Sequence, residues 1–200
     1  ERRLHVQQMD LHVSMAHELV DDVSHRMERI GRTIDGDQDL VHRFLSFIGQ
    51  CNLVCLPLLG EFGEDAYIEP PLHANWGCNT YFSAHAYANF NLTLVDDGEV
   101  HIGEHTMIGP NCTIITTGHP IRPDLREKVT QYSLPVTIGR NVWLGANVTV
   151  LPGVTIGDNS VIGACSLVTK DIPANVVAVG SPAKVIREIT ADDDIYYDHG

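Results

Sequence analysis

Residues 116–120 read "TTGHP", and the histidine in this stretch, His119, is a side chain suited to moving a proton. An imidazole changes charge close to neutral pH, so it can accept a proton from a weakly acidic group and return it later. Gly118 lets the chain turn before the ring, and Pro120 fixes the exit after it. A lone loop histidine is ordinarily just solvated or structurally bonded, so its surroundings must supply the reason for a chemical role. Two other places invite a metal reading and do not support it. Cys51 and Cys55, four apart in an apolar helical stretch, read as buried thiols behaving as small hydrophobes. "HELVD" at His17 lacks the second histidine of a zinc-protease motif.

The chain of 200 residues is long enough for one sizeable domain with a real core. Thirteen Lys and Arg face 26 Asp and Glu, a formal net charge of −13, which argues against a nucleic-acid partner but leaves room for a local basic grip on one anionic ligand. Five cysteines without paired spacing predict no disulfide framework and a reducing cytoplasm. No signal peptide and no membrane-spanning run is expected. The densest apolar stretch, "FLSFIGQCNLVCLPLLG", is broken by Gly49, Gln50, Asn52 and Pro57 and reads as core or interface.

Residues 1–62 carry a helical period. Met15, Leu19, Val20, Val23, Met27 and Ile30 share one face, and a second helix with Leu40, Phe44, Leu45, Phe47 and Ile48 follows a cap at Asp37 or Asp39. Farther on the count changes to six. Ile102, Ile108 and Ile114 are six apart, as are Ile138, Leu144, Val150, Ile156, Ile162 and Val168, and the phase survives between Ile114 and Ile138. Gly follows the aliphatic residue at 103, 109, 139, 145, 157 and 163; Asn stands three after it at 111, 141, 147 and 159. Cys112, Val148, Val154, Ser160 and Ser166 fill the fourth place.

A period of six is neither a helix nor a simple alternating strand. It suits a short strand and a corner, repeated: the aliphatic residue points into a narrow interior, and Gly and Asn take corner backbone angles that other residues resist. Three such faces make one triangular coil, and stacked coils share a core. A flat sheet sandwich would not need Gly and Asn in fixed phase. The count is interrupted by about twenty residues leaving at Thr116 and returning near Pro135, a length usual for functional loops.

"IGEHTMIGPNCTI" and the run from "VTIGRNVWLGANVTV" to "GSPAKVIRE" resemble the left-handed parallel β-helix of the hexapeptide-repeat acyltransferases. More narrowly, "YANFNLTLVDDGEVHIG", "TTGHPI" and "GSPAKVIREI" resemble the galactoside and maltose O-acetyltransferase branch, over about residues 61 to 190. The hand of the coil comes from this resemblance alone, since ordinary crossovers are right-handed. The front end departs from the family: its usual Arg-rich helix leading to a Phe-Asn pair is not visible.

The resemblance implies acetyl transfer from acetyl-CoA to a hydroxyl of a sugar or related small acceptor, with His119 as general base. It places the thioester and its tetrahedral intermediate beside Asn89. Tyr87 and Asp97 fall at acceptor-binding positions, Asn75 where relatives carry a small polar or acidic residue, and Trp143 at the wall of the acyl channel. Ala146 and Ala164 suit a groove for the pantetheine arm, and Thr169, Lys170, Lys184 and Arg187 occupy phosphate-side positions. Transfer is expected to be direct, within a ternary complex, because no cysteine stands at a nucleophile position.

The resemblance also implies a homotrimer with sites at subunit interfaces, and no metal. Serine or an antibiotic is the alternative acceptor. His85, His101 and His105 raise a related zinc-binding β-helix class that hydrates carbon dioxide, but its histidine spacing differs. A non-catalytic scaffold would not need His119, Asn89 and the basic set together. The expected organisation is therefore a helical segment over 1–62, a mainly β, left-handed β-helix over 63–188 with its loop at 116–135, and an acidic tail over 189–200.

Overall fold

The computed structural model describes residues 59–194. The expected helices before residue 59, with Cys51 and Cys55, and the end of the acidic tail lie outside them. The described chain winds into a parallel β-helix of three faces. The first stacks Glu61–Phe62, Thr80–Phe82, Val100–Ile102, Val136–Ile138 and Thr155–Ile156. Glu61–Phe62 pairs in register with Tyr81 and Phe82, so strand structure starts two residues before the expected boundary. The second face runs from Tyr67–Ile68 through Tyr87–Ala88, Met107–Ile108, Trp143–Leu144 and Val161–Ile162 to Val176–Val179, giving six parallel rungs closed by the antiparallel Lys184–Glu188. The third stacks Leu72–Ala74, Leu92–Val95, Thr113–Ile115, Thr149–Val150 and Leu167–Val168.

The period of six is the inward column of each face. Phe82, Ile102, Ile138 and Ile156 align rung on rung, as do Ala88, Ile108, Leu144 and Ile162, and Leu94, Ile114, Val150 and Val168. All are buried. The fourth-place residues are buried too, and Ser160 satisfies its hydroxyl by donating to the Pro173 carbonyl at 2.7 Å. No buried side-chain nitrogen or oxygen among the described residues lacks a hydrogen-bond partner.

The corners separate the roles of Asn and Gly. Asn111, Asn141, Asn147 and Asn159 have φ between 53 and 60°, the left-handed region Asn tolerates best after Gly. Their amides also form a ladder: Asn141 donates to Asn159, and Asn159 to Asn175, each at 3.0 Å. The phased glycines do something else. None of the six has positive φ, contrary to expectation; they stand where the next coil comes closest. A Cβ at Gly145 would lie 2.6 Å from the Ala164 nitrogen, and one at Gly109 2.8 Å from the Ala146 nitrogen.

The coil is wider at its start. Tyr81 pairs with His101, 20 residues on, whereas Thr137 pairs with Thr155, 18 on. The extra residues sit between third and first faces, in the turn carrying Asp96 and Asp97, and the insertion leaves from the same corner.

Candidate active site

The inserted segment is an ordered arm. Thr117–Gly118 pairs antiparallel with Tyr132–Ser133, the Thr117 and Ser133 hydroxyls share a 2.6 Å hydrogen bond, and the Thr117 hydroxyl also reaches the Tyr132 carbonyl at 3.0 Å. A short helix, Pro123–Arg126, forms its outer part, and Arg126 donates to the carbonyls of Pro120 and Ile121 at 3.1 and 3.0 Å. His119 is exposed on this arm, its Nδ1 3.0 Å from the Thr130 carbonyl oxygen. A carbonyl only accepts, so Nδ1 is the donor, and in the neutral ring Nε2 carries the lone pair.

Thr116 ties this arm to the turn holding Asp97. Fully buried, its hydroxyl donates to the Val95 carbonyl at 2.8 Å and accepts from the Gly98 N–H at 2.9 Å, bracketing the Asp96–Asp97 pair. The two carboxylates divide the work. Asp96 is buried, accepting from the Trp76 N–H at 2.9 Å and the Thr80 hydroxyl at 3.3 Å, and it fixes the turn. Asp97 is half-buried, accepting from the Asn75 amide at 3.1 Å and the Trp76 indole N–H at 3.2 Å. Asn75 and Asp97 therefore share the corner from which the arm bearing His119 leaves.

Of the other expected residues, Tyr87 and Trp143 lie on strands of the second face, and Asn89, Ala146 and Ala164 at the corner between the second and third faces. Tyr87 stacks on Tyr67 at 6.2 Å between ring centroids. Burial, with Glu69 and Tyr67 nearby, pushes its phenol up from the ordinary value, so it remains a donor at neutral pH. Asn89 follows directly, and its Oδ1 accepts from the Phe90 N–H at 2.8 Å, which orients the side chain. Trp143, 55% exposed, stands two rungs from Tyr87 with Met107, 52% exposed, between them. Ala146 and Ala164 lie at the same corner, half-buried and exposed. The Ala146 carbonyl is taken by the Cys165 N–H at 2.9 Å, while the two alanine N–H groups make no backbone hydrogen bond among the described residues.

The basic set is also divided. Thr169 and Lys170 are exposed at the corner of His119; Lys184 and Arg187 are on the closing strand of the second face. Arg187 is engaged, donating to both oxygens of Asp193 at 2.6 and 2.8 Å. Asp193 is thereby held below the usual carboxylate range. Sequence reasoning passed over Thr116 and Asp96, because a buried Thr or Asp in a turn has no sequence signature beyond its type. It also grouped His101 with His85 and His105. His101 instead stacks on Tyr81 at 4.8 Å and bonds Glu99 at 3.0 Å on the first face.

A parallel repeat solenoid with an inserted, histidine-bearing arm defines a class. The model of the bacterial transferase hexapeptide (six repeats) matches residues 135–170. A galactoside O-acetyltransferase of Lactococcus lactis is 58% identical over 144 residues, covering 72% of this chain and 70% of the relative. A galactoside acetyltransferase solved in complex with coenzyme A superposes with a TM-score of 0.68 at 52% identity, over 72% of each chain. A maltose O-acetyltransferase from Clostridium difficile gives 0.69 at 37% identity, over 77% of this chain and 90% of the other. The chain belongs to the hexapeptide-repeat acyltransferases, in their galactoside and maltose O-acetyltransferase branch, and its coil is the left-handed β-helix of that family.

Proposed function

We propose that this protein moves the acetyl group of acetyl-CoA to a hydroxyl of a sugar or related small acceptor, with His119 as general base. The observation that carries the reading is the hydrogen bond between His119 Nδ1 and the Thr130 carbonyl, which makes Nε2 the proton-accepting nitrogen of the neutral ring. The acceptor hydroxyl gives its proton to Nε2 as its oxygen attacks the thioester carbonyl. Asn89, its Oδ1 held by the Phe90 N–H, offers its amide hydrogens to the oxyanion of the tetrahedral intermediate. Collapse expels the coenzyme A thiolate, which takes the proton back from His119. Asp97 and Asn75 bind the acceptor's other hydroxyls, with Tyr87 and Trp143 enclosing it.

The division of these residues between two corners supports a homotrimer. His119, Asp97, Thr169 and Lys170 stand at one edge of the third face; Asn89, Ala146 and Ala164 stand at the other, with Trp143 on the adjoining second face. A second copy that sets its Asn89 edge against the His119 edge of the first completes both the acceptor pocket and the pantetheine groove. The unpaired Cys78, Cys112 and Cys165 support a reducing compartment, the cytoplasm. No helix among the described residues is long and apolar enough to cross a membrane.

The test is a panel of galactosides, maltose, glucose, serine and an aminoglycoside with acetyl-CoA, read by release of the coenzyme A thiol. Turnover with a sugar and not with serine or the antibiotic is expected. Thiol release that no acceptor stimulates would exclude the reading.

A further inference from the structure

We propose that His85, His105 and Glu104 form a binding site for one late first-row divalent metal ion, Zn2+, Ni2+ or Cu2+, on the corner between the first and second faces. This corner is a column of left-handed residues, one per coil: Asp65, His85, His105, Asn141, Asn159 and Asn175. Asn serves at three of the six positions, so the backbone does not require an imidazole. Two successive coils nevertheless carry one, at φ 57 and 58°, and their rings stack at 4.8 Å between centroids, 8° from parallel.

One ligand atom from each of His85, Glu104 and His105 lies within 4.8 Å of the other two. Donor atoms around a tetrahedral ion with bonds near 2.0–2.1 Å are roughly 3.4 Å apart. All three side chains are partly solvent-exposed, so a small rotation closes the gap. The surroundings prepare the carboxylate: Arg140 Nε donates to Glu104 Oε2 at 3.3 Å, while Oε1 lies 3.8 Å from His105 Nε2. Such outer partners orient metal ligands. Asp65, with a carboxylate oxygen 3.9 Å from His85 Nδ1, adds a second negative charge against the single positive charge of Arg140.

The donor chemistry selects the ion. Two imidazoles and one carboxylate suit zinc, nickel and copper, whereas magnesium and calcium favour oxygen-only shells. A surface depression of about 460 Å³, lined by His85, Tyr87, His105, Met107, Arg140 and Asn141, leaves room for water to complete the shell. The site does not depend on the acyl-transfer reading, since none of its three ligands takes part in that chemistry.

The test uses the full, untagged chain and its His85→Asn/His105→Asn variant, which keeps a residue that this corner accepts at 141, 159 and 175. Titration with Zn2+ against a chromophoric chelator should show one more equivalent bound by wild type than by the variant. The two proteins should melt alike in EDTA, and only wild type should gain melting temperature with Zn2+. Glu104→Gln should weaken the binding about tenfold or more. Equal stoichiometry in two folded proteins would overturn the site and leave the stacked histidines with a structural role only. Displacement of Zn2+ by modest Mg2+ would overturn its ligand chemistry. Should the double variant not fold, His85→Asn alone makes the same comparison.

Discussion

Arg187 and Asp193 grip each other through two hydrogen bonds, at 2.6 and 2.8 Å, across the turn that ends the coil. Arg187 stands at an expected phosphate-side position, where an Arg and Lys cluster suits the 3′-phosphate of coenzyme A, and its guanidinium is thus occupied by a carboxylate of its own chain. The phosphate must displace Asp193, and the pair is solvent-exposed, so the competition is modest. Asp193→Asn is expected to tighten coenzyme A about two- to fivefold while leaving 3′-dephospho-coenzyme A nearly unchanged. In the Lys184→Ala/Arg187→Ala double variant the two ligands should bind about equally. Calorimetric titration of both ligands against all three proteins checks this. A preference for coenzyme A that survives in the double variant would move the phosphate site to Lys170.

His119→Ala should lower turnover by about two to four orders of magnitude and leave acetyl-CoA binding nearly intact. The ring is exposed and hydrogen-bonds the Thr130 carbonyl of its own arm, so its removal costs the fold little. Steady-state kinetics beside a binding titration separate the two quantities, and near-normal turnover would remove His119 from the mechanism.

Thr116→Val tests the link between the proposed base and the proposed acceptor corner. Valine keeps the shape but leaves the Gly98 N–H and the Val95 carbonyl without their side-chain partner, a loss of about 1–3 kcal/mol in a buried site. The turn holding Asp97 would then be tied less firmly to the arm holding His119, with the Thr116 N–H bond to the Val95 carbonyl, at 3.0 Å, still joining them. The expected result is a melting temperature lower by several degrees and a KM rise larger for the acceptor than for acetyl-CoA. A KM change confined to acetyl-CoA would show that Asp97 does not serve the acceptor.

The inward columns were legible because one requirement repeats. The later coils place an aliphatic residue at the same three places, so Ile138, Leu144, Val150 and Ile156 betray the interior without any knowledge of their neighbours. Legibility fades in the early coils, where Phe82, Ala88 and Leu94 are six apart but Leu94 and Ile102 are eight, because the Asp96–Asp97 turn widens one corner. The roles of single residues were less readable. Thr116 matters through two hydrogen bonds to residues about twenty positions away, and Arg187 through a partner in the acidic tail. The phased glycines were noticed for the wrong reason: sequence alone does not distinguish a residue needing positive φ from one needing absence of a Cβ.

That distinction gives the last prediction. At Gly145 an added methyl would meet the Ala164 backbone nitrogen at 2.6 Å, and backbone in the next coil has nowhere to retreat without separating two rungs. Gly145→Ala should therefore destabilise the coil by about 1–3 kcal/mol or more, as overpacking does. At Asn159 the requirement is the left-handed backbone, with φ 59°, plus the amide ladder to Asn141 and Asn175. Glycine adopts that backbone freely, so Asn159→Gly loses the ladder but introduces no strain, and Asn159→Ala loses both. The expected order of chemical-denaturation midpoints is wild type, then Asn159→Gly, then Asn159→Ala, with Gly145→Ala lowest. If Gly145→Ala matched wild type while Asn159→Gly fell below it, close approach of the coils would not be what keeps glycine at the phased positions.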